Sequence, residues 1–216
     1  MEMAQMSDLL INKIKEIYEP HPKIHGWCSV DKALKFVQFI LDKKPELCVE
    51  IGVFGGSSLI PQAMAIKNNG IGKIYGIDPW STEAALEEMQ NEDHKKWWGK
   101  LDIENIYQHA KSNIAKYGVE PCCVLIRDKA ENVVDQFKDN SVDILHIDGN
   151  HSEELAYKDA VNYLPKVKSG GIIFFDDIYW TEVDNHVTTR KAITYLLQSC
   201  ERIDLINSDC LVLQKS

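Results

Sequence analysis

The sequence predicts a single doubly wound α/β domain, a seven-stranded sheet with five parallel strands and a C-terminal antiparallel hairpin. Three observations carry this reading. Short apolar runs at 47–51, 73–78, 122–127, 142–148 and 172–175 alternate with stretches of helical period. The run Leu47-Cys48-Val49-Glu50-Ile51 breaks into Gly52-Val53-Phe54-Gly55-Gly56-Ser57-Ser58 and resumes as a helix, the strand, turn and helix unit of a parallel sheet. Finally, Ile203-Asp204-Leu205-Ile206 and Cys210-Leu211-Val212-Leu213 are separated only by Asn207-Ser208-Asp209, which makes a hairpin.

The elements follow in order. Met6, Leu9, Leu10, Ile14, Ile17 and Tyr18 fall at helical spacing over 6–18, and Pro20 and Pro22 end that helix. Ser29 is placed to cap a second helix whose apolar face is Ala33, Leu34, Val37, Ile40 and Leu41, stopped before Pro45. These helices occupy 1–45 of one domain spanning 1–216. Glu50 lies in an otherwise apolar strand and requires a polar partner, because a buried unpaired carboxylate costs several kcal/mol. Gly52, Gly55 and Gly56 keep the end of the first strand clear of side chains. Their G-x-x-G-G spacing is neither the dinucleotide G-x-G-x-x-G nor a P-loop.

The second strand closes with Asp78, where nucleoside-binding sheets place a carboxylate for ribose hydroxyls. Residues 81–100 carry Trp97 and Trp98, close to Trp80, and are predicted to form an insertion over the site. A helix then ends at Gly118, and the third strand runs over Cys122–Arg127. The fourth strand, 142–148, leads into Gly149-Asn150-His151 and a helix from Glu153 to Tyr163. Ser169-Gly170-Gly171 is predicted to turn into a strand over 172–175 that ends in Asp176-Asp177. The last helix is placed from Arg190 to Cys200, and the acidic stretches 83–93 and 131–139 are placed as solvated helix faces.

Composition excludes several function classes. With 24 basic against 33 acidic residues, a net charge of −9 and no basic tract, nucleic acid is excluded as a partner surface. No apolar run is long enough to cross a membrane and residues 1–5 lack a signal-peptide pattern, so no membrane association and a cytoplasmic location are expected. The 6 cysteines form no C-x-x-C pair and fit reduced core positions. A small molecule is the expected partner, with a homodimer as a further expectation.

Glu50, Asp78, Asp148 and the pair Asp176-Asp177 stand at the carboxyl ends of strands one, two, four and five, which open on the same edge of a parallel sheet. Like charges this close repel unless a cation stands between them. Carboxylates on neighbouring strand ends suit a hard divalent ion, magnesium or manganese.

In these motifs the chain resembles the class I S-adenosylmethionine-dependent methyltransferases, whose fold is a Rossmann-like sheet. The resemblance rests on Glu50 to Ser58, Ile77-Asp78-Pro79-Trp80, His146-Ile147-Asp148-Gly149-Asn150-His151-Ser152, and Gly170-Gly171 through Asp176-Asp177. It is closest to small-molecule O-methyltransferases of the macrocin and catechol type. The resemblance implies S-adenosylmethionine as cofactor, with Glu50, Gly52 and Phe54 in its loop and Ser57 or Ser58 at its carboxylate. It further implies Asp78 on the ribose, Pro79 and Trp80 flanking the adenine, and the turn at Asp128-Lys129-Ala130 on the adenine edge. Asp148, Asp176 and Asp177 match the metal ligands of metal-dependent members, and His151 stands where those members place a general base. The fifth strand ends in Asp-Asp where many of them carry Asp-Asn.

The activity so implied is methyl transfer to a hydroxyl of a small acceptor, a sugar or phenol. Two other functions stay open: a non-catalytic protein that binds S-adenosylmethionine or its demethylated product, and a nucleotide-dependent oxidoreductase or hydroxylase. Asp78 also reads as a helix cap, and Asp148, Asp176 and Asp177 as caps or ion-pair partners of Lys and Arg. His151 also reads as an N-cap, His146 as a satisfied core histidine, and Trp97 and Trp98 as packing or subunit contacts.

Overall fold

The computed structural model describes residues 8–216, so Met6 of the first predicted helix lies outside the described residues. Seven strands are formed: β1 (Leu47–Ile51), β2 (Lys73–Ile77), β3 (Cys123–Ile126), β4 (Val142–Ile147), β5 (Val167–Phe175), β6 (Cys200–Ile206) and β7 (Cys210–Lys215). They make one sheet in the order β3-β2-β1-β4-β5-β7-β6. Strands β1 to β5 pair in parallel, while β7 runs antiparallel to both of its neighbours. The direction of strand addition reverses between β1 and β4, and a crevice opens at such a reversal.

Nine helices surround the sheet among the described residues: α1 (Asp8–Tyr18), α2 (Val30–Lys43), α3 (Leu59–Asn69), α4 (Thr82–Leu86), α5 (Glu92–Trp98), α6 (Ile103–Lys116), α7 (Ala130–Val133), α8 (Glu153–Tyr163) and α9 (Arg190–Leu196). Helices α1, α2, α3 and α6 pack on one face, and α7, α8 and α9 on the other. The strands supply both cores by alternation. Cys48, Ile144, Ile172 and Phe174 face the first layer, and Val49, Leu145, Ile173 and Phe175 the second. Glu50 and His146 share the parity of Cys48 and Ile144, so both lie on the α2 side, paired in register.

Ser29 caps α2 as its sequence position implies, its Oγ accepting from the Lys32 amide at 3.2 Å. Four boundaries differ from the sequence reading. The last helix stops at Leu196 and Cys200 opens β6 instead, because Cys200 pairs with Lys215 across the hairpin. The third strand begins at Cys123, since the Cys122 and Cys123 amides both close a turn on the Val119 carbonyl. Ser169-Gly170-Gly171 does not separate two elements. It is a bulge inside β5, with Val167 already paired to Val142, and Gly170 at φ +73° lets the strand bend there. The stretch 131–139 holds only the end of α7 and a 3-10 turn at Val134–Gln136, because Val133 and Phe137 turn into the core.

The connection between β6 and β7 is the three-residue segment 207–209 that the sequence spacing implies, built around a tight turn. Asn207 and Ser208 have φ of 50° and 63°, and the Asp209 amide donates to the Ile206 carbonyl at 3.1 Å. Positive φ at both central residues matches the right-handed twist of the strands.

Phe36 of α2 is fully buried, with its ring 4.5 Å from Phe174 and 4.9 Å from His146. Phe36→Ala is expected to cost about 3–5 kcal/mol, read as a lower urea midpoint with an unchanged slope.

Candidate active site

The sheet ladder continues one residue beyond each strand, and this sets the site. The Asp78 amide donates to Ile126 O (3.1 Å), Gly52 to Ile77 O (2.9 Å), Asp148 to Ile51 O (2.8 Å) and Asp176 to Ile147 O (3.0 Å). Four functional positions therefore stand in a row across the carboxyl edge. Gly52 has φ +85°, and a Cβ there would lie 1.9 Å from the Asp148 carbonyl oxygen, so only glycine allows the two loops to meet.

A cavity of about 640 Å³ opens above this row. Gly52, Phe54, Ser57, Ser58, Asp78, Pro79, Trp80, Ala130, Asp148, His151, Asp176 and Asp177 all line it. Glu50 does not reach it. Fully buried below, Glu50 accepts from Ser58 Oγ (2.8 Å) and Gln62 Nε2 (2.6 Å), which supplies the partner its burial requires. Ser58 is thereby committed to Glu50. Ser57 faces the segment before α2, its Oγ 3.4 Å from the Cys28 amide and its carbonyl accepting from the Tyr18 hydroxyl at 2.6 Å.

Asp78 braces the glycine turn. Its Oδ2 accepts from the Val53 and Phe54 amides at 3.0 and 2.9 Å, and its Oδ1 from the Trp80 amide at 2.7 Å. Burial raises its pKa from the ordinary value, against the pull of these three amides. Three of its four acceptor directions are used, leaving one for a ligand. Trp80 packs on Tyr107 at 4.7 Å and donates its indole N–H to Phe54 O at 2.8 Å, so it latches the same turn.

Three basic side chains stand between pairs of these acids. His146 is fully buried between Glu50 and Asp176, 3.3 Å from each carboxylate. Burial alone would lower its pKa, but hydrogen bonding to Asp176 and the Glu50 charge raise it to about 10. His151 Nε2 lies 2.9 Å from Asp177 Oδ2 and 3.6 Å from Asp148 Oδ1. Burial opposes its charge, yet Asp177 and Asp148 hold its pKa above the ordinary value. Lys32 Nζ is 2.7 Å from Asp176 Oδ1 and 3.5 Å from Asp209 Oδ1. Burial would raise the Asp176 pKa, but His146 and Lys32 bring it down to about 2. Asp148 is pushed well above the carboxylate range by burial and by the charge of Asp176.

The methyltransferase-domain family matches residues 49–178, more than half of the chain. The chain belongs to this family. An uncharacterized protein, R132 of Acanthamoeba polyphaga mimivirus, is 33% identical over 129 residues, covering 60% of this chain and 50% of that protein. The chain spans between 14% and 50% of the curated relatives it matches. Among solved structures, the S-adenosylhomocysteine-bound methyltransferase PaMTH1 of Podospora anserina superposes with TM-score 0.66 at 13% identity, covering 100% of this chain and 91% of that one. The O-methyltransferase TomG of Streptomyces achromogenes, solved with S-adenosylmethionine, gives 0.64 at 15% identity, with coverages of 98% and 92%. The domain shares their fold.

In this domain the expected metal ligands do not form one set. Close groups of donor atoms among the described residues are His146, Asp148 and Asp176; Asp148, His151 and Asp177; and Asp176, Asp177 and Asp209. None unites Asp148, Asp176 and Asp177. Both oxygens of Asp176 are engaged by Lys32 and His146 at 2.7 and 3.3 Å. This arrangement does not fit a divalent ion held by the three aspartates.

The cover over the cavity has two parts. Trp27, Trp97, Trp98 and Phe54 form an aromatic cluster with ring centroids 5.0–6.1 Å apart. Trp180 packs at a tilt against His151 and His94, 5.0 Å from each, and donates to Glu182 Oε1 at 3.0 Å. The other Glu182 oxygen accepts from the Gln90 and Asn91 amides, tying the 178–190 loop to the insertion. That insertion is two short helices, α4 and α5, and Glu87 between them pairs with Lys129 at 2.5 Å, so its acidic face is not wholly solvated.

Sequence reasoning missed Lys32, Asp159 and Asp209 and left His146 unpaired with Glu50. A Lys one turn before Phe36, on a buried face, was the available signal for the first. Asp159 of α8 lines the cavity, and burial together with the Glu131 charge raises its pKa to about 7.

Two measurements follow from this geometry. His146→Leu leaves Glu50 and Asp176 without their shared cation and is expected to cost about 3–5 kcal/mol in urea unfolding. Asp159 binds its proton more tightly folded than unfolded, so its share of stability is present at low pH and is lost between about pH 4 and the folded value near 7. Asp159→Asn should therefore raise stability at pH 8 by about 1–2 kcal/mol, a 3-unit shift discounted for access to the cavity. At pH 4 the effect should vanish, as thermal melts at the two pH values will read.

Proposed function

We propose that this domain transfers a methyl group from S-adenosylmethionine to a hydroxyl oxygen of a small acceptor, a phenol or sugar. The observation that supports this reading is the convergence of Gly52, Asp78, Asp148 and His151 on one cavity of about 640 Å³, the size of a small-molecule site. Gly52 and the loop carrying Phe54 would receive the methionine portion, the free acceptor direction of Asp78 a ribose hydroxyl, and Pro79 and Ala130 the adenine. When bound, S-adenosylmethionine supplies an electrophilic methyl carbon on a sulfonium.

The chain's own residues do the rest. Displacement at that carbon needs an acceptor oxygen that is aligned and losing its proton. His151 Nε2, held by Asp177 and with its backbone carbonyl anchored by Thr188 Oγ1 at 2.5 Å, is the group placed to take that proton. The Trp180 ring at 5.0 Å from His151 and the tryptophans of the cover exclude water and offer flat surfaces to a ring or sugar face. The donor set expected for magnesium or manganese is not assembled, and no step here uses an ion.

Calorimetry should detect binding of S-adenosylmethionine and of S-adenosylhomocysteine, with no heat from NAD. Heat from NAD alone would move the domain to the oxidoreductase reading. With labelled S-adenosylmethionine and a panel of phenolic and sugar acceptors, His151→Gln should leave cofactor affinity unchanged and lower kcat by roughly 10²–10⁴.

A further inference from the structure

We infer that the ammonium group of Lys32 occupies the place among the strand-end acids that a divalent ion would otherwise take, making the acid cluster of this domain metal-independent. The inference rests on reading the cavity as the methyltransferase site. Lys32 is 7% exposed, lines the cavity, and sits 2.7 Å from Asp176 Oδ1. A divalent ion bound to that oxygen would stand beside a fixed positive charge, in surroundings that screen it poorly.

The position of Lys32 is built rather than incidental. Its amide is held by Ser29 Oγ, which also accepts from Asn207 Nδ2 at 2.7 Å, so the start of α2 is tied to the β6–β7 turn. One helical turn on, Phe36 packs over His146 and Phe174 and fixes α2 against the sheet. The same β6–β7 turn delivers Asp209, whose buried Oδ1 has no hydrogen-bond donor and whose nearest cation is Lys32 at 3.5 Å. Lys32 and Asp209 both lie outside residues 49–178, the part shared with the family. A further cation lies beside Lys32, His146 between Glu50 and Asp176. An ammonium carries three donors and no coordination geometry. With Asp176 taking one, the group retains hydrogen-bonding capacity at the cavity wall.

The test is uptake of Mn²⁺ by the full chain, followed through the electron paramagnetic resonance signal of the free ion. Wild-type protein should leave the signal at its buffer value. Lys32→Gln, which removes the charge and keeps a polar side chain, should take up one Mn²⁺ per chain on Asp176, Asp177 and Asp209, and Lys32→Arg should take up none. Stoichiometric uptake by the wild type overturns the inference, as does a folded Lys32→Gln protein that binds none. If the Gln variant does not fold, the wild-type titration alone decides. Cofactor calorimetry on the same samples separates the two readings, because a protein that binds no S-adenosylmethionine contradicts the proposed function while its Mn²⁺ titration remains readable.

Discussion

A chain of alternating charges runs through the middle of this sheet, from Glu50 through His146 and Asp176 to Lys32, and the site is arranged around it. Glu50 and His146 are register partners on β1 and β4, and His146 pairs onward to Phe174 on β5. Two carboxylates in a core this apolar stand only because a cation is lodged between them and further donors satisfy their remaining lone pairs. Ser58 and Gln62 do so for Glu50, and Lys32 does so for Asp176. The glycine turn is thereby joined to the interior, since Ser58 lies at the start of α3 and bonds to the buried acid.

Above this charged core the loops brace one another through backbone amides. Asp78 gathers the amides of Val53, Phe54 and Trp80, and the Trp80 indole returns a hydrogen bond to Phe54. Such a turn is pre-shaped, so little conformational freedom is left to lose when a ligand enters. The cover is braced differently. Glu182 and Trp180 couple the loop after β5 to the insertion, and the aromatic cluster around Trp27 couples the insertion to the segment before α2.

The row of acids was legible in the sequence because strand ends in a parallel sheet share one edge, and four of the five apolar runs end in acid or glycine, which reveals that edge without coordinates. What the acids do there was not. Asp78 reads as a ribose acceptor from its position alone, whereas its contacts with three amides depend on how the turn folds back. Lys32 was hidden because it precedes the sheet by a whole helix and a lysine in an amphipathic pattern reads as solvent-facing. Pairing His146 with Glu50 requires strand register, which the two runs do not encode by themselves. At the far end, Leu196 and Leu197 continue a helical period past the point where pairing of Cys200 with Lys215 takes over, so the helix was read too long. In each case a contact distant in sequence overrode a local pattern.

The tie between the start of α2 and the β6–β7 turn has a consequence for biosynthesis. Ser29 meets Asn207 across 178 residues of sequence, and Lys32 meets Asp176 across 144. On the ribosome the opening helices emerge long before the strands that complete their charge pairing. Until those strands leave the exit tunnel, the nascent chain carries a lysine and several acids with no counterpart. Closure of so long a loop comes late and slowly, so the charge pairs at the start of α2 wait for the β6–β7 hairpin to dock.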